Sequence, residues 1–218
     1  MSITAKPLYF GYWGKASAQQ GAASSYHLLA FHSLDVAACG KALLALPQFS
    51  LAPLAADLGW PLPVVEQLAI FFLALHDLGK FARAFQGLAP GLSPDLVQNE
   101  AGKRYEYRHD TLGWILWVDD LALGPLEDVL PDTESEFWAT WIRSAVGHHG
   151  KPPLEASADG LFPLQVESCF LKDDRRAARQ FAAELAARWL PDDIPVPRRE
   201  HDVVLRRHAW RLAGLAVL

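Results

Sequence analysis

Ile70-Phe71-Phe72-Leu73-Ala74-Leu75-His76-Asp77-Leu78-Gly79-Lys80 decides how this chain is read. An apolar helical run delivers an imidazole, a carboxylate and, one turn later, an amine toward the interior. A carboxylate buried without a partner is costly or is forced to take up a proton. A divalent cation is the partner that best suits adjacent His and Asp side chains, so the remaining ligands must come from elsewhere in the chain. Gly79-Lys80 is not a phosphate loop, because the upstream glycines of such a loop are missing. Two roles stay open for Lys80: holding a substrate phosphate and stabilising its developing charge, or capping its helix in solvent.

Outward from this stretch the sequence reads as helix after helix, with few convincing strands. Pro61 and Pro63 stand where proline helps to start a helix, and Val64 to Gln86 reads as one long buried helix. Upstream, His27 to Leu46 has helical apolar spacing and stops at Pro47. Residues 87 to 107, rich in glycine and proline, read as a loop. Helices are expected over His109–Leu123, Ser135–Val146, Val166–Trp189 and Glu200–Leu218, with Lys151 to Pro163 a loop. The fold class is all-α, a helical bundle with a metal site between helices, and residues 1–218 form one domain.

Composition narrows the class. Hydrophobic residues make up 51% and charged residues 21%, as in a globular protein, and the net charge of −5 excludes binding of nucleic acid by charge alone. Basic residues do cluster, at Lys103, Arg104 and Arg108, at Arg175, Arg176 and Arg179, and from Arg198 to Arg211; each cluster is expected to be a solvated helix face. Cys39 and Cys169 lie far apart without a CxxC pattern, which fits a reducing compartment. No signal pattern opens the chain and the longest apolar run is too short for a bilayer. A cytoplasmic protein without membrane attachment is expected.

Eight histidines occur, at 27, 32, 76, 109, 148, 149, 201 and 208. Four contexts stand out: His32 in the first apolar helix, His76-Asp77, His109 opening a helix, and His148-His149 between Gly147 and Gly150. His201-Asp202 lies in a charged segment and is expected at the surface. Asp110 suits the first turn of its helix by its interaction with the helix dipole. His27 is off the helical face of His32 and is left out of the set. Trp114, Trp117, Trp138 and Trp141 recur at three-residue spacing; stacking on bases is one role for them, and core packing is the expected one.

Taken in order, Tyr26-His27-Leu28-Leu29 leading to His32-Ser33-Leu34-Asp35-Val36-Ala37-Ala38, then His76-Asp77-Leu78-Gly79-Lys80-Phe81 with Phe85-Gln86, His109 with Gly113, and Gly147-His148-His149-Gly150 resemble the HD superfamily of metal-dependent phosphohydrolases. More narrowly, they resemble the HD nuclease domain of the CRISPR-associated helicase-nuclease of type I systems. The resemblance runs from about Tyr12 to Leu218. It implies that His32, His76 and Asp77 hold one metal, that Asp77, His109, His148 and His149 hold a second, and that Asp77 bridges them; Lys80 is the candidate for the scissile phosphate, with a solvated helix cap as its alternative role. Metals so paired sit about 3.5–4 Å apart, one activating water and the other stabilising the leaving oxygen. Five imidazoles and one carboxylate favour Mn, Fe, Co or Ni, with Zn and Mg as alternatives.

The implied activity is metal-dependent hydrolysis of phosphodiester bonds in single-stranded DNA during CRISPR interference, an antiviral defence. The implied partners are a superfamily-2 helicase domain or subunit and the CRISPR surveillance complex. In that family a late Leu-Ala-Gly-Leu helix leads to an Asp-Trp whose aspartate completes the first metal site. Leu212-Ala213-Gly214-Leu215 matches the approach, and the sequence stops at Leu218. An excised or truncated piece, or a natural split, is the expected explanation, with the first site labile and this chain weakly active or inactive. Two other readings remain: an HD phosphohydrolase of nucleotides or cyclic dinucleotides, and an inactive HD module kept as a binding surface.

Overall fold

The computed structural model describes residues 6–17, 25–122, 124–132, 136–151, 153 and 167–216. A tight turn at Leu8–Gly11 leads into strand β1 (Trp13–Ser17), which pairs antiparallel with β2 (Ser25–Leu28). The register passes from Trp13↔Leu28 to Lys15↔His27, so Gly14 is left over as a bulge. The described helices are α1 (Leu29–Leu44), α2 (Ala52–Leu58), α3 (Leu62–Ala74), α4 (Arg83–Gln86), α5 (His109–Leu116), α6 (Phe137–Val146), α7 (Lys172–Trp189) and α8 (Arg199–Leu215). The fold is a helical bundle with one small hairpin among the described residues, as the class reading expects.

Three readings of the sequence need correction. His27 lies in β2, not in the first helix, because the backbone of Leu29 donates to the Tyr12 carbonyl and ties the approach to α1 into the hairpin. The single helix over Val64–Gln86 is broken. α3 ends at Ala74, the chain winds tighter through a 3₁₀ turn at Leu78–Phe81, Ala82 is extended, and α4 follows. Periodicity could not show this break, since Leu75, Leu78, Phe81 and Phe85 are buried on both sides of it. Finally, His201 is buried against Trp60 and Phe137, and its ring accepts the Arg198 backbone N–H at the start of α8. Leu123, Ser135, the expected loop from Leu154 to Pro163, Val166, Val217 and Leu218 lie outside the described residues.

α3 is the axis of the core. Its Phe72 stacks on Trp141 at 5.4 Å and on Trp138 at 6.3 Å, and meets Trp117 at 5.7 Å. All four tryptophans at the three-residue spacing are buried packing residues, as expected. The stretch Leu62–Phe81 is long and apolar enough to cross a membrane, but it is mostly buried inside the protein.

Asp174, fully buried on α7, clamps the N-terminal segment to the turn after α3. Its carboxylate accepts the Tyr12 hydroxyl at 2.7 Å, Arg83 Nη2 at 2.8 Å and the Leu171 backbone N–H at 2.7 Å. Burial beside this carboxylate raises the pKa of the Tyr12 hydroxyl, which stays protonated and donating.

A candidate two-metal centre

Four elements converge on Asp77. His32 comes from the first turns of α1; His76 and Asp77 occupy the bend after α3; His109 opens α5; His148 and His149 follow the end of α6. The bend can approach α5 only because two glycines face each other. A Cβ on Gly79 would lie 1.9 Å from the His109 carbonyl oxygen and 2.5 Å from the Gly113 nitrogen, and one on Gly113 would lie 3.1 Å from the Gly79 nitrogen. The Gly14 bulge does the same for His32, since a Cβ there would meet the Leu29 Cα at 2.9 Å.

The two oxygens of the Asp77 carboxylate face different groups. Oδ2 lies 2.9 Å from His32 Nε2, 3.2 Å from His76 Nε2 and 2.6 Å from Lys80 Nζ. Oδ1 is buried without a hydrogen bond and faces His109 Nε2 at 3.4 Å and His148 Nε2 at 3.8 Å. His149 Nε2 lies 2.9 Å from His109 Nε2. Among the described residues, two sets of potential ligands gather within 4.8 Å of one another, His32–His76–Asp77 and His109–His148–His149. Every residue singled out from the sequence as a ligand is thus in one place.

The outer contacts fix which nitrogen faces inward. His76 Nδ1–H donates to the Leu73 carbonyl at 2.9 Å and His148 Nδ1–H to the Ala145 carbonyl at 3.2 Å, which turns both Nε2 atoms toward Asp77. The Tyr105 hydroxyl accepts the His109 backbone N–H at 2.8 Å and meets its Nδ1 at 3.1 Å. Tyr105 and the two carbonyls were not legible in the sequence. No local pattern marks a loop tyrosine as a partner of a histidine four residues on. His27 hydrogen-bonds Asp35 at 2.9 Å beside His32 and belongs to neither ligand set.

Lys80 is not a solvated helix cap: its ammonium is largely buried, on Asp77 Oδ2 and, at 3.0 Å, on the Gly14 carbonyl. Burial pushes the Asp77 carboxyl pKa up, but hydrogen bonds from His32 and His76 and the charge of Lys80 outweigh it and hold the group well below the usual carboxylate range. Burial lowers His32, and lowers His109 and His148 to about 4 each. Neutral imidazoles around an ionised carboxylate are the protonation states that metal ligation requires. An orphaned Asp77 Oδ1 facing two imidazole lone pairs, and a second pair of ring nitrogens nearly in contact, fit a divalent cation.

The lowered histidines predict acid lability of the metal-free chain. Below about 6.5 the unfolded chain binds protons that His109 and His148 refuse until about 4 when folded, so stability is full above that window and falls as pH drops through it. Thermal melts in chelator should show a lower midpoint at pH 5 than at pH 7.5. An unchanged midpoint would contradict the burial of these rings.

Residues 13–218 match the family described as Cas3, HD domain. A curated relative, the CRISPR-associated endonuclease/helicase Cas3 of Escherichia coli (strain K12), is 29% identical over 224 residues, covering 84% of this chain and 23% of the relative. The chain thus spans less than a quarter of that protein's length. Among solved structures, T. fusca Cas3 with ATP superposes with a TM-score of 0.62 at 20% identity, covering 95% of this chain and 23% of that one. The Thermus thermophilus cas3 HD domain in the presence of Ni2+ superposes with a TM-score of 0.56 at 24% identity, covering 88% and 70%.

Proposed function

This chain belongs to the Cas3 HD-domain family, and on that premise we propose that it is a two-metal nuclease domain cutting single-stranded DNA in CRISPR interference. The observation that carries the reading is the division of the Asp77 carboxylate, one oxygen toward His32 and His76 and the other toward His109 and His148. His32, His76 and Asp77 would hold one divalent cation; His109, His148, His149 and the second oxygen of Asp77 would hold the other. Bound there, the pair supplies an activated water and charge to stabilise the leaving oxygen. The nitrogen-rich set favours Mn, Fe, Co or Ni.

The chain's own groups supply position and polarity. The carbonyls of Leu73 and Ala145 lock the His76 and His148 rings, so no reorientation is needed when cation or substrate arrives. Lys80 holds Asp77 ionised. Two of its ammonium protons engage Asp77 and Gly14, and we assign the third to a non-bridging oxygen of the scissile phosphate. A helicase domain or subunit delivers the strand, and a CRISPR surveillance complex selects the target. Both partners are inferred from what the relatives' names describe.

Metal content of protein purified without chelator, measured beside cleavage of a single-stranded oligonucleotide in Mn, Co, Ni, Fe and Mg, tests the reading. The side with three histidines plus Asp77 is expected to keep its ion and the three-ligand side to hold its ion weakly, so cleavage should need added metal. Hydrolysis of nucleotides with no strand cleavage would favour a nucleotide phosphohydrolase. No bound metal and no cleavage, even with excess added metal, would favour a binding module.

A further inference from the structure

Helices α6 and α8 leave an open groove of about 520 Å³ between them, lined by Glu136, Arg143, Arg206 and Trp210 and reaching Gly147 and Gly150. Those two glycines flank His148 and His149 in sequence, so one end of the groove lies against the turn that carries these two histidines. Arg206 and Trp210 are four residues apart on α8 and share its groove-facing side. Trp210 is 69% exposed, the most exposed large apolar side chain among the described residues, and the Arg211 guanidinium lies 5.1 Å from its ring. On the opposite wall, the Arg143 guanidinium rests 4.3 Å from the Trp114 ring, which fixes where its charge is presented.

Glu136 joins the two walls: its Oε2 lies 3.5 Å from Arg143 Nη1 and 3.4 Å from Arg206 Nη2. A carboxylate between two guanidiniums occupies the position a phosphate would take. Glu136 and Arg206 are both well exposed, and such pairs contribute little stability, so a polyanion can displace the carboxylate. An exposed tryptophan alone is ordinary on a protein surface. Here it stands with two arginines in a groove whose one end is the turn bearing His148 and His149.

We propose that this groove is a subsite for unpaired polynucleotide, with a backbone phosphate between Arg143 and Arg206 and a base stacked on Trp210, leading the strand to His148 and His149. The inference rests on the nuclease reading and deepens it. Stacking on an open indole needs a base whose face is free, so the subsite selects single strands over duplex. From Arg206 to Ala213 the α8 wall extends about 10 Å, enough for a few nucleotides and too short for a long track. Glu136 acts as an internal competitor for the phosphate position.

Fluorescence polarisation of a labelled oligothymidylate on the metal-loaded full chain tests the proposal. Trp210→Ala should weaken binding about tenfold. Arg206→Ala should weaken it several-fold and flatten its salt dependence. Glu136→Gln should tighten it, which a merely structural role for this carboxylate would not produce. Unchanged affinity in both Trp210→Ala and Glu136→Gln would overturn the subsite and leave the groove to a polypeptide partner. Hydrolysis of bis(p-nitrophenyl) phosphate by the unsubstituted chain, a diester too small to need the groove, separates the two ideas. Diester turnover with unchanged oligonucleotide affinities sinks only the subsite. The expected affinity changes with neither diester turnover in excess added metal nor any bound metal count against the nuclease reading and keep the strand-binding surface.

Discussion

Asp77→Asn should abolish metal-dependent strand cleavage, by a factor on the order of a thousand or more, while the chain stays folded. The substitution keeps the shape of the side chain and removes its charge. An amide cannot offer an anionic oxygen to each of two cations, and one end of it becomes a donor. Whichever way the amide is turned, an N–H then points either at the lone pairs of His109 and His148 or at His32, His76 and the Lys80 ammonium. Both cations are therefore affected at once, whereas His32→Gln or His149→Gln should each weaken mainly one. Metal content measured with cleavage rate separates these cases. Asp77→Asn protein that keeps its metal and cuts at the unsubstituted rate would remove Asp77 from the centre of the mechanism.

Gly79→Ala is the second large effect, and it adds a single methyl group. At 1.9 Å from the His109 carbonyl oxygen and 2.5 Å from the Gly113 nitrogen, the new carbon meets backbone atoms that no rotamer change can move. The turn carrying Asp77 must separate from the start of α5, which carries His109. The stability cost belongs at or above the upper end of the ~1–3 kcal/mol typical of overpacking. Binding at the shared carboxylate should fall with it, because its two halves sit on the parts forced apart. Gly214→Ala is the matched control. Gly214 lies inside α8 with nothing within 4 Å of a built Cβ, so the change should be neutral or stabilise by up to about 1 kcal/mol. Urea unfolding of the two variants gives the comparison, and equal midpoints would refute the close-approach argument.

The ligand set was legible because chemistry constrains residue type more tightly than position. A buried carboxylate beside histidine needs a cation, and the chain holds few histidines in apolar or helix-end contexts. Their assignment as ligands is what the family resemblance implies, and all six proposed ligands converge. The helical class was legible from apolar spacing, with boundaries off by a few residues. Less legible was anything that depends on two segments meeting. The α3 break is invisible to periodicity, because an element buried on all sides gives the same apolar pattern whether it is one helix or a helix, a turn and a second helix. His201, surrounded in sequence by charge, was placed at the surface, yet it is held inside by Trp60 and Phe137 from other elements.

By itself, then, the sequence determined the fold class from residue type and apolar spacing, and its ordered motifs determined the family and, through that resemblance, the side chains of the site. Only the tertiary structure decided that Asp77 turns one oxygen to each histidine group, that Lys80 is engaged with Asp77 and Gly14, and that Arg143, Glu136, Arg206 and Trp210 share a groove. Those are distances between segments remote in sequence, set by how helices pack and where two glycines let backbones touch, and no local pattern encodes them.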